Sequence, residues 1–275
     1  MPIHLIASDL DETLLNKRAE LTGRTLAALK RAMDAGALVV LSSGRMVGAM
    51  SRYAGEIGVN APMIAFNGAL IYGLREGRAL AAREIPVEDA RAVARAAEVR
   101  GIHIQAFTRD DYYFERAGAF SDLYARGIGG ITGRSTGVKL SEWIDAPLCK
   151  LLMIAPPEEA SGLLRELAPG FSRRMEMALS RPNYLECTAA GVHKGAALEA
   201  LCGILNIPRE AVAAFGDNQN DLSMLRWAGS GYAVANAPES VRAAALPAPA
   251  SDEDGVAQVI ERLLDEGAIA PAPKE

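Results

Sequence analysis

The run IHLIASDLDETLL near the N-terminus places two carboxylates, Asp9 and Asp11, just past Ile3 to Ala7, a stretch apolar enough for a buried strand. Side chains two apart on an extended segment share a face, so this spacing aims both acids at one spot. Like charges held there repel unless one is protonated or a cation lies between them. Other strand-like runs also end in polar groups: LVVLSS in Ser43-Gly44-Arg45, MIAF in Asn67-Gly68, and AVAAFG in Asp217 with Asn220 and Asp221. Three or four carboxylates without nearby histidines or thiols suit a hard, oxygen-seeking cation, and Mg²⁺ fits that donor set better than zinc. Such an ion relieves the repulsion and leaves a site attractive to phosphate. Ser43 and the amides around Gly44 can donate to that phosphate, with glycine letting the backbone approach closely. Lys194 adds a full positive charge if the fold returns it to the same crevice.

Those groups need elements to carry them. Strand-like runs alternate with helical patterns, which predicts parallel β units with crossover helices. Thr22 can cap a helix through Met33, in which Leu26, Leu29 and Met33 fall at helical spacing and Gly36 is the stop. A helix over Val47 to Ile57 follows LVVLSS, and ALIYG with ALAAREI reads as a hairpin around Leu74 to Arg78. From about Pro86 the pattern changes to a second α/β stretch: a helix, the strands IHIQAFT and DYYFER, a helix near Phe120 to Arg126, the strand CKLLMIA, a helix from Pro157, then RRMEMAL and NYLECT. After Gly191 the first pattern returns with a helix His193 to Leu205, AVAAFGD, DLSMLRWAG, GYAVAN, ESVRAAA and a last helix Gly255 to Glu266. The expected fold is therefore α/β, a doubly wound, mainly parallel sheet with an inserted α/β domain. Residues 1–83 and 188–275 form the core, and 84–187 the insertion. In open α/β sheets ligands bind outside the carboxyl ends of the strands, so the polar strand ends can meet in one crevice despite their distance in sequence.

The Gly-rich stretch GIGGITGRSTG is read as a flexible loop or a substrate-facing lid. It is not a phosphate-cradling GxxxxGK[ST], which needs Gly where Ile128 stands and Lys where Arg134 stands. Tyr112, Tyr113 and Phe114 read as sheet packing, His193 as structural, and the closing APAPKE as a loose tail.

At 275 residues and 50% hydrophobic content the chain can bury a sizeable core. A net charge of −5, with no Lys/Arg run, argues against binding nucleic acid or an anionic membrane and favours small-molecule work. Three cysteines without CxxC spacing, and neither a membrane-length apolar run nor a signal-peptide pattern, point to the cytoplasm. Nothing in the sequence fixes the oligomeric state.

Four motifs in order, DxDxT at Asp9 to Thr13, SGR at Ser43 to Arg45, GVHKG around Lys194 and GDNQND at Asp217 to Asp221, resemble the haloacid dehalogenase phosphatases. The Asn67-Gly68 pair and the insertion between the second and third motifs look most like the Cof-type branch, whose insertion is an α/β cap. The resemblance spans nearly the whole chain. It implies a Mg²⁺-dependent phosphatase of small phosphorylated metabolites, such as sugar phosphates or phosphorylated cofactors. Asp9 would be the nucleophile and Asp11 the acid and base. Asp9, the Asp11 carbonyl and Asp217 would hold the metal, with Asp221 acting through water or from behind. The Leu10 amide, Ser43, Gly44, Lys194 and Asn220 would grip the phosphoryl group. Arg45 is divided between ligand contact and a structural ion pair, and Asn67 between turn chemistry and substrate contact. The resemblance also assigns selectivity to the insertion. One departure is Glu12, at a position where such phosphatases most often carry Gly. A phosphomutase, a signalling receiver and a binding protein without catalysis remain as alternatives.

Overall fold

The computed structural model describes residues 1–271. By its internal contacts the chain divides into two compact units: Met1–Gly44, Met50–Leu80 and the chain from His193 onward in one, Arg45–Ala49 and Ala81–Val192 in the other. The first unit is built on five strands in the spatial order Leu246–Ala248, Ser230–Val234, Val212–Gly216, Leu5–Ser8, Leu38–Leu41. Every neighbouring pair in it is parallel. The chain starts in the interior, steps to one side for Leu38–Leu41, and later fills the other side, so strand order reverses between Leu5–Ser8 and Val212–Gly216. All residues of those two strands are buried, which is why they read as uninterrupted apolar runs instead of alternating ones. A parallel bridge from Ser42 to Ile64 brings in Met63–Ala65, which turns antiparallel into Leu70–Gly73, with Arg78–Ala82 next in the same sheet.

Helix Gly23–Asp34 starts on the expected cap: the Thr22 hydroxyl accepts from the Thr25 N–H at 3.1 Å and donates to Asp254 Oδ1 at 2.5 Å. That second bond ties it to Gly255–Asp265, the helix it packs against. Helix Lys194–Ile204 packs on Leu222–Trp227, and His193 caps it by accepting from the Ala196 N–H through Nδ1 at 3.0 Å. His193 therefore has the structural duty expected of it.

The second unit is a six-stranded sheet in the order Met175–Arg181, Tyr184–Ala189, Lys150–Ile154, His103–Phe107, Tyr112–Phe114, Arg134–Ser135. Only its last pair is parallel. Helices Val87–Val99 and Pro157–Phe171 pack against it. Phe107, Tyr112 and Tyr124 form an aromatic cluster with ring centroids 5.2 to 5.5 Å apart, so Tyr112 serves sheet packing as read.

Three short elements depart from the sequence reading. Arg134–Ser135 pairs within the Gly-rich stretch although both residues are exposed and carry no apolar pattern; besides its ladder to Tyr113 and Phe114 it is held by the Arg134–Asp111 ion pair at 2.9 Å and by the Ser135 hydroxyl donating to the Glu115 carbonyl at 2.7 Å. Helix Leu140–Trp143 is a single turn, too short for a periodic signal. Leu246–Ala248 is an edge strand holding Pro247, tolerable there because an edge leaves one side of the ladder unpaired. The start of the APAPKE tail is anchored: the Ala270 N–H donates to the Ile3 carbonyl at 3.1 Å. Its last four residues, 272–275, lie outside the described residues.

Candidate active site

Register positions the first acids. Ser8 lies level with Phe215 across the parallel pair, and the Asp9 N–H donates to the Phe215 carbonyl at 3.0 Å. Asp9 and Asp217 thus leave adjoining strand ends at the point where strand order reverses, the place such sheets offer to ligands. Asp9, Asp217 and Asp221 each present a carboxylate oxygen within 4.8 Å of the others. Lys194, 1% exposed, donates through Nζ to Asp9 Oδ1 at 2.5 Å and to Asp221 Oδ1 at 2.6 Å. The other oxygen of Asp221 accepts from the backbone N–H groups of Asp217 at 3.0 Å and Asn218 at 2.9 Å. Asp217 in turn accepts from the Thr13 hydroxyl at 2.8 Å. Residues more than 180 positions apart in sequence are joined by these bonds.

Charge and burial oppose each other here. Burial raises the pKa of Asp9 well above the usual carboxylate range; Lys194 counters it, while Asp221, Asp217 and Asp11 add to the rise. Asp217 is pushed up to about 6 by burial and then by Asp221, with the Thr13 bond opposing. Burial acts to lower the Lys194 pKa, but Asp221 and Asp9 outweigh it and hold the ammonium charged. An all-oxygen donor set short of positive charge fits a hard divalent cation such as Mg²⁺.

The loop after Asp9 differs from the simple strand picture. The chain leaves the extended form and makes one wide turn, Leu10–Leu14, closed by the Leu15 N–H donating to the Leu10 carbonyl at 2.8 Å. Strand alternation therefore does not set the direction of Asp11, which lies inside that turn. Leu10 is fully buried beside it. Glu12 stands at φ 56°, ψ 11°, in the left-handed region that favours glycine.

Ser43 is buried at its strand end: its N–H donates to the Ile64 carbonyl at 2.9 Å and its carbonyl accepts from the Asn67 N–H at 3.0 Å. Phe66, Asn67 and Gly68 form the loop after Met63–Ala65, with φ of 53°, 57° and 107°. The loop needs glycine at its end, since a Cβ on Gly68 would stand 2.7 Å from the His193 carbonyl oxygen, on the residue before Lys194. Asn67 Oδ1 accepts from Asn220 Nδ2 at 3.0 Å, and a Cβ on Gly44 would reach within 2.9 Å of that same oxygen. Gly44, Asn67 and Asn220 are thereby gathered together. Arg45 groups with the second unit, where it opposes the burial that raises the Tyr124 hydroxyl pKa.

Two residues in this network carry no role in the sequence reading. Thr13, the last position of DxDxT, holds Asp217. Asn236 donates through Nδ2 to the Glu12 carbonyl at 2.8 Å. The signal for Asn236 is its place in GYAVAN, another polar residue just beyond a buried strand.

A family model described as haloacid dehalogenase-like hydrolase matches residues 6–260. The chain belongs to this family. As a haloacid dehalogenase-like hydrolase it is similar to the protein YxeH of Bacillus subtilis, which bears a phosphatase name: 30% identical, covering 94% of this chain and 98% of that one. It is 31% identical to the HMP-PP phosphatase of Yersinia pseudotuberculosis, over 85% of this chain and 84% of that protein. The crystal structure of a haloacid dehalogenase-like hydrolase from Bacteroides thetaiotaomicron superposes with a TM-score of 0.87 at 28% identity, covering 95% of this chain and 99% of that one. The family and the α/β fold expected from the four motifs both stand. Among the described residues no helix is long and apolar enough to cross a membrane. Cys149, Cys187 and Cys202 are free and buried.

Proposed function

We propose that this hydrolase is a Mg²⁺-dependent phosphatase of small phosphorylated metabolites, working through an aspartyl-phosphate on Asp9. The observation that carries the reading is the bridge from buried Lys194 to Asp9 and Asp221, within the carboxylate cluster that includes Asp217. A nucleophilic carboxylate next to a fixed ammonium suits a reaction that gathers negative charge at one atom. The Asp9 oxygen attacks phosphorus, the P–O ester bond breaks, and Asp11 gives its proton to the departing alkoxide. Asp11 then takes a proton from the water that attacks the acyl phosphate, freeing Asp9 and phosphate. Asp9, Asp217 and the Asp11 carbonyl would hold Mg²⁺, which would supply charge neutralisation during phosphoryl transfer. Asp221 has both oxygens engaged by Lys194 and two amides, so its role is to orient the lysine and the Asp217 loop from behind. Ser43, the amides of Leu10 and Gly44, Lys194 and Asn220 bind the phosphoryl group, and Asn67 fixes Asn220 in place. Substrate choice we assign to the inserted unit, and the free buried thiols suit a reducing cytoplasm.

The test is release of phosphate from an aryl phosphate by the purified chain, with Mg²⁺ and with EDTA. We expect turnover only with the metal, and a loss of at least a thousandfold for Asp9→Asn. An Asp9→Asn chain as active as the parent overturns the mechanism. Similarity to the HMP-PP phosphatase supports trying HMP-PP beside sugar phosphates in a first substrate panel.

A further inference from the structure

Asn236 lies just past the strand Ser230–Val234 and makes two bonds of opposite sense. Its Nδ2 donates to the Glu12 carbonyl at 2.8 Å, and its Oδ1 accepts from the Ser251 N–H at 2.9 Å. Ser251 opens the turn Ser251–Glu253 that leads into helix Gly255–Asp265, so one amide side chain spans from the nucleophile loop to the base of that helix. The residue it grips is the one whose backbone needs gripping. Glu12 has a left-handed conformation, which disfavours any residue with a Cβ and persists only where the surroundings over-determine it. Asp11 precedes Glu12 and Thr13 comes after it, and Thr13 donates to Asp217 at 2.8 Å. A relaxation of Glu12 toward negative φ would swing the Asp11 carbonyl and side chain and draw Thr13 off Asp217.

We propose that Asn236 is a positioning residue, the clamp that holds Glu12 left-handed and so keeps Asp11 and Thr13 in their working arrangement. The inference rests on the phosphatase reading. A glycine at position 12 takes the left-handed form without penalty, so a chain with Gly there has no need of the clamp. This gives a test that an ordinary structural role would not pass. In steady-state hydrolysis of an aryl phosphate with saturating Mg²⁺, Asn236→Ala should lower kcat about tenfold and leave KM within twofold, because Ser43, Gly44, Lys194 and Asn220, four of the five residues assigned to grip phosphate, lie off the turn Leu10–Leu14, and Leu10 only opens it. Glu12→Gly should suppress the defect, the double variant returning to within threefold of Glu12→Gly alone. Glu12→Gln, which removes the charge but keeps a Cβ, should not suppress it. If Asn236→Ala cannot be purified, Asn236→Ser takes its place, since a hydroxyl is too short to reach the Glu12 carbonyl. A kcat within twofold of the parent, no relief from Glu12→Gly, or equal relief from Glu12→Gln would each overturn the clamp. A parent chain without Mg²⁺-dependent turnover would instead overturn the phosphatase reading.

Discussion

Replacing Lys194 with Met keeps the length and apolar stem of the side chain and deletes its charge. In the metal-free chain this leaves Asp9 and Asp221, both buried, without their shared ammonium. Breaking a buried pair by removing one partner costs about 3–5 kcal/mol, and here Asp221 retains its two backbone donors, so most of the loss falls on Asp9. We expect ~3 kcal/mol at pH 8, a large share of the ~5–15 kcal/mol that stabilises a typical domain. The pH dependence has a definite sign. The folded pKa of Asp9 is already raised above the ordinary aspartate value, and losing Lys194, which lowers it, raises it further. A carboxyl whose pKa is higher folded than unfolded favours the native state when protonated and opposes it when ionised. The deficit of Lys194→Met is therefore greatest at alkaline pH and shrinks as the pH falls through the folded pKa of Asp9. Urea unfolding of parent and variant in EDTA at pH 8 and pH 5 measures both quantities. A loss under ~1 kcal/mol at pH 8, or one that grows toward pH 5, would refute the reasoning.

Gly68→Ala combines a φ of 107° with a Cβ 2.7 Å from the His193 carbonyl, and should destabilise the chain by about 2 kcal/mol or more in thermal or urea unfolding while lowering phosphatase activity through displacement of Lys194. Mg²⁺ affinity measured by calorimetry should fall by at least about tenfold per pH unit below about 6, where protons compete for Asp217 and add to any competition at Asp9; a constant affinity from pH 7 to 5 would exclude Asp217 as a ligand. The native chain at pH 8 should leave its thiols unmodified by a disulfide reagent until denaturant is added, because burial pushes Cys149 and Cys202 up to about 12 and Cys187 upward as well.

Much of the fold and of the candidate site was legible because three of the four motifs follow a buried strand, while the fourth, GVHKG, opens helix Lys194–Ile204. The uninterrupted apolar runs at Leu5–Ser8 and Val212–Gly216 mark interior parallel strands, and the residues just past the carboxyl end of such a strand lie at the ligand-binding edge. The Thr22 cap and the helix Val47–Ile57 were equally plain, since capping and 3.6-residue periodicity are local. The features hidden from the sequence are set by backbone geometry or by tertiary partners. The left-handed Glu12 overrides its own propensity, and nothing in DLDETLL announces the wide turn. Both oxygens of Asp221 are consumed by groups from two segments, which no spacing rule reveals. Leu246–Ala248 and Arg134–Ser135 are too short to show a period and are set by the tertiary partners they pair with.

The order in which the central sheet is completed bears on how the chain emerges from the ribosome. Leu5–Ser8 is made before the inserted unit, yet its neighbour Val212–Gly216 is synthesised only after it. Until then one flank of a strand that ends fully buried is a bare pairing edge, the kind of surface that invites mispairing between nascent chains. Domains fold as units during synthesis, so Ala81–Val192 has time to fold while the N-terminal segment waits. Chains halted before residue 212 would carry Asp9 without Asp217 and Asp221 and should aggregate more readily than the finished protein.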